Sequence, residues 1–289
     1  MKLSFFRMLF FRTRFLLLSL SFSLLTGCSD KWALLVPKGP VGSSIRLTLF
    51  TTVGLMLIVV IPTLVMIVFF ARKYRASNRD AEYSPEWEHS SKIEFFAWGV
   101  PILIIGVLAT ITYITSHTLD PRQRLDERPP LKIQVIALDW KWLFLYPEEN
   151  IAVVNEVAFP INQPVEFLIT SDSTMNSFFI PQLGSQLYAM SGMENRLNLM
   201  ATEPGDYAGI SSNYSGYGFA EMKFNARAMS ETDYQTWLAK VHASGQTLDM
   251  PLYHQLAQKS RANPVTYYSP IDPLVFKNVI ESYTGVQTP

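Results

Sequence analysis

The 289-residue chain has one cysteine, four histidines and no surplus of either charge, with 24 basic and 24 acidic residues. Each scarcity removes a class of function. A lone cysteine, Cys28, closes no internal disulfide and builds no cysteine-based metal cluster from this chain alone. A net charge of zero leaves no basic excess to neutralise phosphates, so nucleic acid has little support as a partner. The histidines, His89, His117, His242 and His254, are scattered singly and read as surface or membrane-boundary residues. Charged residues are few, 17% against 48% hydrophobic, and that balance points to a membrane protein.

The N-terminal residues carry the first positive signal. Lys2, Arg7, Arg12 and Arg14 precede an apolar stretch from Phe15 to Leu25, and "LTGC" puts small residues just before Cys28. This resembles a bacterial lipoprotein signal peptide, which is cut before a cysteine whose sulfur carries diacylglycerol. The alternative is an ordinary signal peptide with a buried free thiol. Two later runs, Leu47 to Phe70 and Phe95 to Ile114, hold no charge, and each is near the ~20 residues that a hydrocarbon core requires. They predict two transmembrane helices, which tolerate Pro62 and Pro101 because neighbouring helices satisfy the freed carbonyls. Lipid on Cys28 at the outer face would send the first helix inward and the second outward. Arg72, Lys73, Arg75 and Arg79 beside the first helix agree with that, although Arg122, Arg124 and Arg128 beyond the second weaken the contrast.

From Leu131 the period becomes strand-like. "LKIQVIAL", "PVEFLITS", "NRLNLMAT" and "FAEMKFNAR" alternate or are β-branched, and "PEEN", "NQP", "EPGD" and "NYSG" supply turns between them. Short strands at this spacing predict a sandwich or barrel. Ser230 with Asp233 then predicts a capped helix to about His242, and "LVFKNVIESY" is amphipathic.

Two transmembrane helices followed by "DWKW", "STMNSFFIPQLGSQ" and "GISSNYSGYGFAEM" resemble subunit II of the haem-copper oxidases over nearly the whole chain. The resemblance implies a cupredoxin-like sandwich after the hairpin. The expected organisation is a signal peptide at 1–27, a periplasmic segment at 28–45, helices at 46–71 and 93–116 around a cytoplasmic loop at 72–92, a linker at 117–130, the cupredoxin-like domain at 131–229 and a short helical, aromatic-rich extension at 230–289. Copper-bearing members of the family hold a copper pair through "H-S-F/W-x-V-P-x-L-G" and "C-S-E-x-C-G-x-x-H-x-x-M". On this chain those ligand positions fall at Asn176, Ser211, Asn213, Ser215, Phe219 and Met222. Hydroxyls and amides replace the thiolates and imidazoles that copper prefers, so the resemblance points to the quinol oxidase branch, and "KYRASN", "LMLIVVIP" and "VTYYSPID" look most similar to the bo-type ubiquinol oxidases. It implies no cofactor in this chain and haem and copper in subunit I. The implied partners are subunit I, the other small membrane subunits, the quinol pool through subunit I, and membrane lipid. Cytochrome c is not among them.

Two residues carry competing readings. Glu94 lies where the resemblance places a carboxylate at the mouth of a proton path in subunit I, while "SKIE" also reads as a capping box with Ser91 at the cap and Glu94 at N3, the third helical position. Trp140 stands where copper-bearing relatives receive an electron, but with no copper expected beneath it a packing role is favoured. The rival for the chain as a whole is a free-standing inner-membrane lipoprotein whose β domain binds a ligand between loops 172–185 and 209–219. Two spans argue against it, since a lipid anchor alone would suffice, and Gly99 and Gly106 in the second span suit packing against a partner.

Overall fold

Backbone amides in hydrocarbon must pair within the chain, and an uncharged run does so by becoming helical. In the computed structural model, which describes residues 32–82 and 84–285, the two runs form α1 (Pro40–Lys73) and α2 (Ser91–Thr118). The expected signal peptide at 1–27 and the expected lipidation site, Cys28, lie outside the described residues. A soluble hairpin would bury its large side chains, yet Leu64, Phe95 and Trp98 are 58%, 72% and 72% exposed. Such a surface is satisfied by lipid or by other membrane helices.

At ~1.5 Å per residue, the 34 residues of α1 extend well past a ~30 Å hydrocarbon core. The helix begins at Pro40 rather than at 46, because its first turn packs on the β domain. Lys38 N donates to the Gln182 carbonyl, Gly42 N to that of Leu183, and Thr202 N to that of Lys38. The approach is close enough that a Cβ on Gly39 would fall 2.2 Å from the Met200 carbonyl oxygen. Beyond α2, the Pro121 carbonyl accepts from Asn198 N at 2.9 Å. The start of α1 and the end of α2 therefore meet the same domain, on one side of the hairpin.

That domain is a sandwich of two sheets. One runs β11 (Thr266–Tyr268), β3 (Ile151–Val154), β2 (Lys141–Tyr146), β1 (Leu131–Leu138), β5 (Val165–Ser171), β8 (Asn195–Leu199). The other runs β4 (Glu156–Pro160), β10 (Lys223–Met229), β9 (Gly205–Ser211), β6 (Asn176–Phe179), β7 (Leu187–Ala189). β1 pairs parallel with β5 and β10 parallel with β4; the other pairings are antiparallel. Between the sheets lies an aromatic core in which Phe178 and Phe224 stack at 5.0 Å with Trp142 and Phe144 around them.

The extension covers the outer face of the first sheet. Helices α3 (Glu231–His242), α4 (Met250–Leu256) and α5 (Val275–Thr284) follow the sandwich. Tyr253, Val275, Phe276 and Val279 from α4 and α5 pack on Ile136, Leu138, Leu143 and Leu145, making a second core. β2 and β3 are buried on both faces for this reason, and, after Lys141, "WLFLY" and "IAVV" read as continuous apolar runs rather than alternating ones. The extension is not wholly helical, since it also supplies β11 at the sheet edge. The capped helix after Ser230 forms as expected, with Ser230 Oγ accepting from Asp233 N at 3.2 Å. "FAEMKFNAR" forms a strand only from Lys223, because Phe219–Glu221 is a single 3₁₀ turn that brings the preceding loop back to the ladder.

Candidate functional site

Strands β6 and β9 are neighbours, with Phe178 opposite Ser211, so the loops at their ends must meet. Asn176 and Ser211, 35 residues apart, are buried and in contact: Ser211 Oγ donates to Asn176 Oδ1 at 3.1 Å. The same loops are knitted by Ser212 N donating to the Ser177 carbonyl at 3.0 Å and Asn213 Nδ2 to that of Met175 at 2.8 Å. Ser211 N donates to the Met222 carbonyl at 3.3 Å, which returns the far end of the loop to its start.

Ser215 and Phe219 lie on the loop so closed. The Ser215 carbonyl accepts from Trp140 Nε1 at 2.9 Å, while its hydroxyl is buried with no hydrogen-bond partner among the described residues. Phe219 is half-buried with its ring edge-on to Tyr214 at 5.5 Å. Trp140 packs over the loop so tightly that a Cβ on Gly218 would fall 2.4 Å from the indole. The indole therefore has a packing contact and a hydrogen bond here, the two things a half-buried tryptophan needs.

The donor set does not fit a copper pair. It offers an amide oxygen, two hydroxyls, a second amide and a phenyl ring, with one thioether, Met222, sunk in the hydrophobic core. The Asn176 oxygen already accepts from Ser211. Soft thiolates and imidazoles are what bind and bridge copper, and none stands at these positions. Among the described residues no group of three or more His, Cys, Asp or Glu is placed to hold a metal.

Glu94 departs from the capping-box expectation. The N-cap is Ser90, whose side chain makes no capping bond, and Glu94 is the fourth residue of α2 rather than the third. Its carboxylate instead meets His89 Nδ1 at 2.6 Å, with both side chains mostly exposed. The apolar run begins just beyond Glu94, so the pair stands at the end of the span.

Three polar anchors carry no motif in the sequence. Lys141 is 1% exposed, and its Nζ donates to the Gln258 carbonyl at 2.8 Å and to Ser260 Oγ; burial pulls its pKa down. Glu156, also buried, accepts from Trp237 Nε1 and the Tyr267 phenol, both at 2.9 Å, beside Arg227 at 3.7 Å. Asp172, just before the Asn176 loop, accepts from two tyrosines of the extension. A charged residue set between two tryptophans at the head of an apolar run, as Lys141 is in "WKWLFLY", was the one available hint.

Residues 137–229 match the family described as cytochrome c oxidase subunit II, periplasmic domain, and residues 242–286 match the COX aromatic-rich motif. With the helices and the sandwich, these matches define a membrane-anchored oxidase subunit II with a cupredoxin-like domain. The ubiquinol oxidase subunit 2 of Acetobacter aceti is 51% identical over 91% of this chain and 85% of its own length. The cytochrome bo(3) ubiquinol oxidase subunit 2 of Pseudomonas putida is 52% identical over 91% of this chain and 83% of its own. The periplasmic domain of subunit II of cytochrome oxidase of Bradyrhizobium japonicum superposes with a TM-score of 0.38 at 20% identity, covering 39% of this chain and 94% of that one. The chain belongs to the ubiquinol oxidase subunit 2 family.

Proposed function

We propose that this chain is the non-redox subunit II of a proton-translocating oxidase that oxidises ubiquinol and reduces oxygen to water. The observation that carries the proposal is the contact between Asn176 and Ser211, at positions that resemble copper-ligand positions and carry no copper-binding chemistry. Electrons then have no relay through this domain, and quinol delivers them to subunit I from within the membrane. Haem and copper belong to subunit I, cytochrome c is not a donor, and the chain's own work is to brace subunit I and the small membrane subunits with α1 and α2. A lipid on Cys28 would add a further tether on the periplasmic side. Glu94, beside His89 at the opposite end of the hairpin, would gather protons for subunit I.

The test is purification in mild detergent, followed by an optical spectrum, metal analysis and two turnover assays. Co-purifying haem, oxygen uptake with ubiquinol and none with reduced cytochrome c are expected, and the separated chain should bind no copper tightly. A chain that purifies without haem would favour the free-standing binding lipoprotein. Copper held by the separated chain, or turnover with cytochrome c, would overturn the assignment of a non-redox role.

A further inference from the structure

The two membrane helices do not close against each other along their whole length. Between them, toward the end that carries the 72–92 loop, lies a groove of about 650 Å³. Ile58, Pro62 and Met66 of α1 face Phe96, Val100 and Pro101 of α2 across it. Thr63 also lines it, but its hydroxyl is committed to the Val59 carbonyl at 2.8 Å. The interior offers water almost no partners, and a water needs two to four of them, so an apolar occupant is required.

Among the described residues one charged side chain, that of Lys92, lines the groove, and it stands at the mouth. The Lys92 ammonium has no ion pair or hydrogen bond among the described residues. Glu94 does not line the groove; two residues further along α2 it is turned roughly 200° around the helix, and it faces His89. The loop acids Asp80, Glu82, Glu86 and Glu88 do not line it either. From Lys92 to Pro101 the helix rises roughly 13 Å, close to half of a ~30 Å hydrocarbon core. The groove thus runs from the membrane surface to near the midplane, one leaflet deep, with a free cation at its outer end.

We propose that the groove seats an acyl chain of an anionic phospholipid from the leaflet on the 72–92 side, with the headgroup phosphate on Lys92 Nζ. The apolar length matches a chain that enters from the surface, and the lone ammonium matches the anionic headgroup above it. A lipid seated here fills the space that the facing prolines leave open and holds α1 and α2 at a fixed separation. The inference rests on the two helices spanning a bilayer and not on the electron donor, so it stands or falls apart from the quinol reading.

The test uses the membrane-extracted protein with the subunits that accompany it, reconstituted in phosphatidylcholine vesicles. The vesicles carry a trace of either photoactivatable phosphatidylglycerol or photoactivatable phosphatidylcholine bearing the same acyl chain. After illumination, labelled peptides are mapped by mass spectrometry. The phosphatidylglycerol probe should label residues 58–66 and 93–101 several-fold more than the phosphatidylcholine probe. Lys92→Gln should remove that preference, and Ala97→Trp, which fills the groove, should abolish labelling there by both probes. Labelling of residues 47–53 should be unchanged in both variants, which shows that the hairpin is still inserted. Equal labelling by the two probes, a preference that survives Lys92→Gln, or unlabelled groove peptides in the wild type would each overturn the proposal, the last because protein would then cover the groove.

Discussion

The phenol of Tyr253 donates to Asp172 Oδ2 at 2.5 Å, joining α4 to a loop 81 residues earlier in the chain. Tyr283 of α5 donates to the other carboxylate oxygen at 3.0 Å. Burial, and then the carboxylate itself, pushes the Tyr253 pKa far above the usual tyrosine value, so the phenol stays neutral and keeps donating. Asp172 leads into Asn176, and the extension is therefore clasped to the very loop that carries the candidate site. Hydrogen bonds to a charged group contribute ~1.5–3 kcal/mol. Tyr253→Phe should lower unfolding stability by about that amount, and Asp172→Asn should do likewise while loosening both tyrosines. Thermal denaturation of the purified protein measures both, and an unchanged midpoint for Tyr253→Phe would remove the clasp from the account.

A second junction predicts the response to alkali. Tyr267 of β11 donates to buried Glu156, and burial followed by the carboxylate pushes its pKa up to about 12. The fold favours the protonated phenol, so its contribution is complete below the ordinary tyrosine value of ~10 and is lost as pH rises toward about 12. Stability should fall across that window, and Tyr267→Phe should flatten the fall while costing stability at neutral pH. Denaturation midpoints measured at stepwise pH would decide it; an identical decline in wild type and variant would not fit.

Much of this architecture was legible in the sequence because its signals are local. Uncharged runs gave both helices, "LKIQVIAL" gave all of β1, and Ser230 with Asp233 gave the start of α3. The site's convergence was legible only through resemblance, since no periodicity says that Asn176 meets Ser211. The extension's work was hidden for a physical reason: its residues matter through partners more than a hundred positions away, as Lys141 with Gln258 and Glu156 with Tyr267 show. The capping box at "SKIE" failed because the chain places Ser90, not Ser91, at the cap, and that one-residue shift leaves Glu94 free to meet His89.

That shift makes Glu94 easier to interrogate. Since it does not cap α2, Glu94→Gln removes the charge and the ion pair with His89 but no capping bond. If Glu94 gathers protons, Glu94→Gln should slow oxygen consumption at matched haem content, and Glu94→Asp should slow it less. Equal rates for the glutamine variant and the wild type would leave the carboxylate with no part in turnover.

The loop beneath Trp140 has no room for one more carbon. Gly218→Ala would drive a methyl group into the indole, where contact is already at 2.4 Å from the position its Cβ would take. Overpacking of this kind costs ~1–3 kcal/mol. The tryptophan should be displaced and lose its bond to Ser215, seen as a red-shifted emission that Trp140→Phe abolishes. Unchanged emission would mean that Trp140 does not rest on this loop.

The strongest test of the site is to rebuild the chemistry its positions lack. Ser211 Oγ and Asn176 Oδ1 are 3.1 Å apart, so a thiolate and an imidazole placed there would lie within reach of a shared metal. Asn176→His, Ser211→Cys, Ser215→Cys and Phe219→His, with Asn213→Glu to complete the family pattern and Met222 retained, would supply two thiolates, two imidazoles and a thioether. Those soft and borderline donors suit copper, and the loop is already closed by the bonds from Ser211 to Met222 and from Trp140 to Ser215. The redesigned chain, purified in detergent and loaded with copper, should turn strongly coloured through thiolate-to-copper charge transfer and bind about two coppers. The unmodified chain should stay colourless and bind none tightly. A redesigned chain that keeps its wild-type far-ultraviolet spectrum and melting point yet remains colourless would show that Ser215 and Phe219 do not converge with Asn176 and Ser211. The kinship of this loop to a copper site would then end at its sequence.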